Sequence, residues 1–248
     1  MLQKLWSHFV SATALMAGLR KERDHHFYQG ALNSRSLVLD LGLHKGQFSR
    51  FVSLEYGCSV VGLEANPSLY KVLEPLPRAQ FMNLAISQTN SSVLFNISAN
   101  PEAGSVLEEM TLPFGVSSKV EVPGITLDTL FVKLSISRVD LLKVDIEGSE
   151  FDMLAGASEE SLSKVAQITV EFHLKPGSAS FTPDRVMLIS RRLRKLGFQT
   201  FFMDRNLTDV LFLNFNLLCF TPLERFALAL YRFVIMPVRI LIQRQGSL

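Results

Sequence analysis

Residues 36–48, SLVLDLGLHKGQF, read as a buried strand, a glycine turn and the start of a helix. The apolar run Leu37 to Leu41 has the length and composition of a strand covered on both faces. Asp40 falls near its carboxyl end, and Gly42 and Gly46 frame a turn where a ligand can approach the backbone closely. The following helix would point its free N–H groups at that ligand. A second apolar run, Ser59 to Leu63, closes on Glu64. An acid there can accept hydrogen bonds from two ribose hydroxyls, as in nucleotide-binding α/β sheets.

The turn has the form DxGxxxG rather than GxGxxG. A dinucleotide turn offers bare N–H groups to a pyrophosphate, which a leading carboxylate would repel. The same carboxylate suits a cationic ligand carrying an amino group and a sulfonium, and S-adenosylmethionine is such a ligand. Absence of GxGxxG weighs against the rival reading, a nicotinamide-dependent oxidoreductase.

A second cluster, DLLKVDIEGSEFDMLAG, runs from Asp140 to Gly156. Leu141 to Ile146 reads as another buried strand, with Asp145, Glu147 and Glu150 crowded at its end and at the start of the next helix. Acids so close need solvent, a cation or a substrate to offset their repulsion. A third strand, QITVEFH, ends with Glu171 and His173. Ligands of open α/β sheets bind outside the carboxyl ends of the strands, so Asp40, Glu64, Asp145, Glu147, Glu171 and His173 are expected on one rim. An intact acidic rim weighs against a non-catalytic membrane- or partner-binding domain.

Within that rim the catalytic candidates are His173, Glu171 and Asp145. His173 is the expected general base, because its ordinary pKa is about 6.5, although neighbouring acids would raise it. The other route is a divalent ion, magnesium or manganese, held by Asp145, Glu147, Glu171 and His173. Spacing does not choose between them. Lys143, inside its strand, is expected to pair with a neighbouring acid, and the adjacent His25-His26 are expected to be solvated.

The chain resembles the FkbM family of S-adenosylmethionine-dependent methyltransferases. The matching pieces are DLGLHKGQFS, GLEANPSLY, FMNLAIS, ITLDTL, LLKVDIEGSEFDMLAGA, ITVEFH and DVLF, in family order across residues 36–213. KVDIEGxE is the most specific. Leu43-His44 stand where the family usually has Ala-Asn. The resemblance implies a Rossmann-like class I methyltransferase fold and S-adenosylmethionine as cofactor. It implies cofactor contacts from Asp40, Gly42, Gly46, Glu64, Asn83, Ala85 and Asp145, with Asn83 to Ala85 beside the adenine. The implied acceptor is a hydroxyl on a sugar, polyketide or lipid-linked glycan, a small molecule or glycan in either case.

The chain has 248 residues, 48% of them hydrophobic, enough for one α/β core with appendages. A net charge of +2 gives no footprint for nucleic acid. Cys58 and Cys219 make no disulfide framework, and without CxxC no zinc site is expected, so a reducing, cytoplasmic setting follows. Residues 1–30 are expected to form an N-terminal amphipathic helix, since Leu2, Leu5, Trp6, Phe9, Val10, Ala14 and Ala17 share one face and the charged run Arg20 to Asp24 ends it. Ser7, His8, Ser11 and Thr13 interrupt the apolar stretch, which argues against a cleaved signal.

Alternating strands and helices place a methyltransferase domain over 31–220, with strands at 36–41, 59–64, 79–85, 139–146, 167–173, 198–203 and 209–215. The fold class is α/β, a mostly parallel seven-stranded sheet with an antiparallel edge strand and helices on both faces. Residues 86–137 break the alternation and read as an inserted β region, with β-like runs at 93–97, 105–107 and 119–122 and turns such as Asn100-Pro101. Residues 221–248 are expected to form an apolar C-terminal helix with an arginine stripe at 225, 232 and 239 and a kink at Pro237. Its apolar run from Phe226 to Ile242 would span about 25 Å, short of the ~30 Å hydrocarbon core. A helix buried against the sheet or a second subunit, giving a homodimer, is one reading, and peripheral membrane contact is the other.

Overall fold

The computed structural model describes residues 2–98 and 104–238. The turn expected at Asn100-Pro101, and Arg239 with the end of the apolar run, lie outside them. The chain opens with α1 (Leu2–Met16) and a hairpin of β1 (Leu19–Glu22) and β2 (His25–Tyr28). Then follow β3 (Leu37–Leu41), α2 (Gln47–Tyr56), β4 (Ser59–Leu63), α3 (Pro67–Tyr70) and β5 (Ala79–Met82). Next come β6 (Ala85–Ile86), β7 (Ser92–Ser98), α4 (Glu108–Thr111), β8 (Val116–Ile125) and α5 (Leu127–Lys133). The second half holds β9 (Leu141–Val144), α6 (Glu150–Gly156), α7 (Glu159–Ser163), β10 (Gln167–Glu171) and α8 (Pro183–Lys195). It ends with β11 (Phe198–Phe202), β12 (Asp209–Asn214) and α9 (Pro222–Leu230).

Seven strands form the main sheet, in the order β11-β12-β10-β9-β3-β4-β5. It is the Rossmann-like α/β sheet expected from the alternation. β12 runs antiparallel to both neighbours, β10 and β11. The reversed strand is therefore second from the edge, a correction to the edge placement. Burial explains it: Val210 to Leu213 are all fully buried, whereas β11 leaves Gln199 and Thr200 partly open. A continuously apolar strand belongs inside a sheet.

The inserted region is smaller than 86–137. Ala85 leaves the main sheet, and β6, β7 and β8 form a separate three-stranded sheet in the order β6-β8-β7. Residues 105–107 contribute only an isolated bridge, Asn96 to Ser105. At Thr126 the side chain accepts from the Thr129 N–H and starts α5, which returns the chain to the layers.

The N-terminal expectation changes too. Gly18, at φ +70°, ends α1, and the charged run becomes β1 and a tight turn in which Arg23 and Asp24 both have positive φ. β2 packs its buried residues against the sheet, and Gln167 clamps it by accepting from the Tyr28 N–H (2.7 Å) and donating to the Tyr28 carbonyl (3.1 Å).

At the other end a capping box at Thr221 and Glu224 starts α9. Helix continues through a wide π-turn, Tyr231–Ile235, and residues 236–238 stay helical across Pro237. Its inner face, Ala227, Leu228, Tyr231 and Ile235, is buried, while Leu223, Phe226 and Phe233 are exposed. Among the described residues no helix is long and apolar enough to cross a membrane.

Candidate active site

The carboxyl ends of β3, β4, β9 and β10 open into a cavity of about 540 Å³. Phe95 and Val106 of the inserted region and the β1–β2 turn close its other sides. Its size falls within the ordinary range of small-molecule sites.

Glu64 lies just past β4 and lines this cavity. Its two carboxylate oxygens accept from the backbone N–H groups of His44 (2.7 Å) and Asn66 (2.8 Å). Each oxygen keeps a second lone pair, so a diol can still bind. Burial pushes the pKa of Glu64 up to about 7, against the pull of those N–H groups. Ala85 also lines the cavity, as expected.

Asn83 does not. Its amide donates to the carbonyls of Glu64 (2.7 Å) and Ala65 (3.1 Å), bracing the end of β4 rather than reaching the cavity. Asp40 also departs from expectation. It is fully buried behind the wall, 3.1 Å from Lys143 Nζ, and it accepts from the Ser49 hydroxyl at 2.6 Å. Lys143 in turn donates to the Gly42 carbonyl (2.6 Å) and stands 3.4 Å from Asp145 Oδ2. Burial opposes the charge of Lys143, but Asp40 and Asp145 outweigh it and raise its pKa. Asp40 thus stands behind the cavity lining and orders the site from there.

Gly42 lines the cavity, but protein is what comes closest to it. A Cβ there would stand 1.7 Å from the Asp145 carbonyl oxygen, and its φ is +86°. Gly46, at φ +69°, caps α2 and lies outside the lining, which the intervening Leu43, His44 and Lys45 supply.

Asp145 follows β9 and joins two groups of side chains. Its Oδ2 faces Lys143 and His25 Nε2 (3.5 Å), and its Oδ1 faces His173 Nε2 (3.9 Å). Burial works against its charge, yet Lys143, His25 and His173 hold it well below the usual carboxylate range. Glu147, in the left-handed region at φ +52°, stands 3.2 Å from His173 Nε2. Burial pushes Glu147 up to about 7 and also raises Glu171. His25 is fully buried with its edge against Phe48, not solvated as its sequence position implied, and His26 pairs with Asp209 at 2.5 Å.

His173 is gripped from both sides. Its Nδ1 is 2.9 Å from Glu150 Oε1, which also accepts from the Ile146 and Gly148 N–H groups. Burial lowers its pKa, but Glu150, Glu147 and Asp145 more than reverse this and push it up to about 10. With no cation beside it, these carboxylates favour the protonated ring of His173. A ring held protonated is a poor base, so these neighbours weigh against the general-base role expected of it.

The methyltransferase FkbM domain model matches residues 40–200 of this chain. The methyltransferase sdnD of Sordaria araneosa is 25% identical over 185 residues, covering 60% of this chain and 70% of that protein. A 73-residue stretch is 40% identical to the AMB antimetabolite synthetase AmbE of Pseudomonas aeruginosa, covering 29% of this chain and 3% of the synthetase. The chain thus spans a small fraction of the length of that synthetase. A TehB-like SAM-dependent methyltransferase from Corynebacterium glutamicum aligns in structure over 72% of this chain and 78% of its own, with 12% identity and a TM-score of 0.34. A putative sarcosine dimethylglycine methyltransferase from Galdieria sulphuraria aligns over 78% and 61%, with 16% identity and a TM-score of 0.35.

Proposed function

This chain belongs to the FkbM methyltransferase family, and we propose that it moves the methyl group of S-adenosylmethionine to a hydroxyl oxygen on a sugar, glycolipid or secondary metabolite. The observation that carries the reading is one cavity lined by Glu64, with a lone pair left on each oxygen, together with Asp145, Glu147, Glu171 and His173. Family membership disfavours the oxidoreductase and non-catalytic readings.

In the reaction the acceptor oxygen attacks the methyl carbon in line with the sulfur. The O–C bond forms as the S–C bond breaks, S-adenosylhomocysteine leaves, and the acceptor's proton passes to solvent water. Holding three atoms collinear is mainly positioning, and the cavity walls supply it. His173, on the cavity wall, would help to orient the acceptor. The acidic rim and the small cavity favour a neutral, hydroxyl-rich acceptor over an anionic one. Incubating cell extracts with the protein and methyl-labelled cofactor tests this. Label in a base-stable ether supports O-methylation, and label only on nitrogen or protein contradicts it.

A second reading concerns partners. Leu223, Phe226 and Phe233 expose an apolar stripe on the outer face of the C-terminal helix, with Arg225 exposed at its flank. Such a face suits peripheral contact with an anionic membrane, which would bring the enzyme to a lipid-linked acceptor. A homodimer through the terminal helices is the competing occupant.

A further inference from the structure

The rim holds a second feature that methyl transfer by positioning does not use. We propose that Asp145 Oδ1, Glu147 Oε2 and His173 Nε2 form a divalent-cation site whose histidine is oriented by Glu150. Three arguments carry it.

The first is size. These donor atoms all lie within 4.8 Å of one another. His173 Nε2 is 3.2 Å from Glu147 Oε2 and 3.9 Å from Asp145 Oδ1. Around an octahedral ion with ligands at about 2.1 Å, neighbouring donors stand about 3 Å apart and opposite donors about 4.2 Å. Both separations lie between these two limits.

The second is orientation. A ligating histidine commonly gives its other ring nitrogen to a carboxylate, which fixes the ring and makes the free nitrogen a better donor. Glu150 does this: it is fully buried, its Oε1 is 2.9 Å from His173 Nδ1, and two backbone N–H groups lock it in place.

The third is the choice between two clusters. His25, Asp145 and Glu171 also converge within 4.8 Å. There, however, Asp145 Oδ2 already faces Lys143 at 3.4 Å. A buried lysine on that oxygen takes the place of a cation, so the ion belongs on the Oδ1 side. His25 and Lys143 then hold Asp145 in the orientation that presents Oδ1.

Three protein ligands leave positions on the ion for water and for the acceptor oxygen. Two carboxylates and one imidazole suit manganese or magnesium. This function of the ion rests on the methyl-transfer reading: it would polarise the acceptor hydroxyl and ease loss of its proton. Ion binding itself rests only on the donors.

The test is titration of the full-length protein with Mn²⁺ alone, followed by the loss of the free-ion electron paramagnetic resonance signal. One ion per chain is expected. Glu147→Gln and His173→Ala should each weaken binding at least 10-fold, and Glu150→Gln about 10- to 100-fold. Glu64→Gln, at the cofactor end, should bind Mn²⁺ as the wild type does. Circular dichroism confirms that each variant is folded, and His173→Ala carries the test if the buried Glu150 variant is not. No binding at millimolar Mn²⁺, or binding unchanged in folded Glu147→Gln and His173→Ala, overturns the site. S-adenosylmethionine titrated into the same samples keeps the two readings apart, because cofactor binding without Mn²⁺ binding contradicts only the ion site.

Discussion

Asp40 Oδ1 and Lys143 Nζ stand 3.1 Å apart with both side chains buried, on directly paired positions of two parallel strands. Removing one partner of a buried pair leaves the other charge uncompensated, at a cost of about 3–5 kcal/mol. Asp40→Asn should therefore lower the unfolding free energy by several kcal/mol, measured by urea denaturation, and Lys143→Met added to it should restore part of the loss. A stable Asp40→Asn protein with weakened cofactor affinity would return Asp40 to the ligand contact its sequence position implied.

Gly42 is fixed by its neighbour as much as by its own freedom. An added Cβ would meet the Asp145 carbonyl oxygen at 1.7 Å, in a backbone conformation that L side chains rarely adopt. Gly42→Ala should cost about 2–4 kcal/mol in thermal or chemical melts and displace Asp145. Gly156→Ala, where nothing lies within 4 Å, should be close to neutral.

Strand ends were legible because four apolar runs each close on an acid, and a sheet of this kind gathers such ends on one rim. Glu64, Ala85, Asp145, Glu147, Glu171 and His173 all reached the cavity. What sequence position could not show is which way a side chain points. The burial of Asp40 against Lys143 was not legible because that pairing depends on the register between β3 and β9. His25 was missed because the hairpin turn is Arg23-Asp24, without the Asn or Gly that marks such turns, so the charges read as a helix end. The signal was there in period two, with buried His25 and Phe27 alternating with the partly open His26. The proton state of His173 depended on Glu150, whose side chain reaches back from the start of α6.

The pH dependence of cofactor binding follows from Glu64. Its pKa rises from 4.5 unfolded to about 7 folded, mainly through burial. Its contribution to stability is thus fully present below about 4.5 and is lost as pH rises through about 7. Ribose hydroxyls bind the carboxylate best, so binding should release a proton near neutrality. Affinity for S-adenosylmethionine should rise between pH 5.5 and about 8, with enthalpies that depend on the buffer. A flat profile in the wild type would remove Glu64 from the ribose, and Glu64→Gln should flatten it.

Membrane contact predicts a lipid preference. Full-length protein should sediment with anionic vesicles more than with neutral ones, and salt should release part of it, at about 1 kcal/mol per surface arginine. Phe226→Ser with Phe233→Ser should abolish sedimentation while leaving cofactor affinity intact. Indifference to vesicles together with a dimer lost in the same double variant would assign the stripe to a second subunit.

The central claim is that this cavity holds S-adenosylmethionine with Glu64 on the ribose, and calorimetry of wild type and Glu64→Ala tests it most directly. Charge-assisted hydrogen bonds to such an acid are worth about 1.5–3 kcal/mol, so the variant should bind roughly 10- to 150-fold more weakly, and the wild type should not bind a nicotinamide dinucleotide. Unchanged affinity in a folded Glu64→Ala protein, or binding of the dinucleotide in preference, would contradict the account.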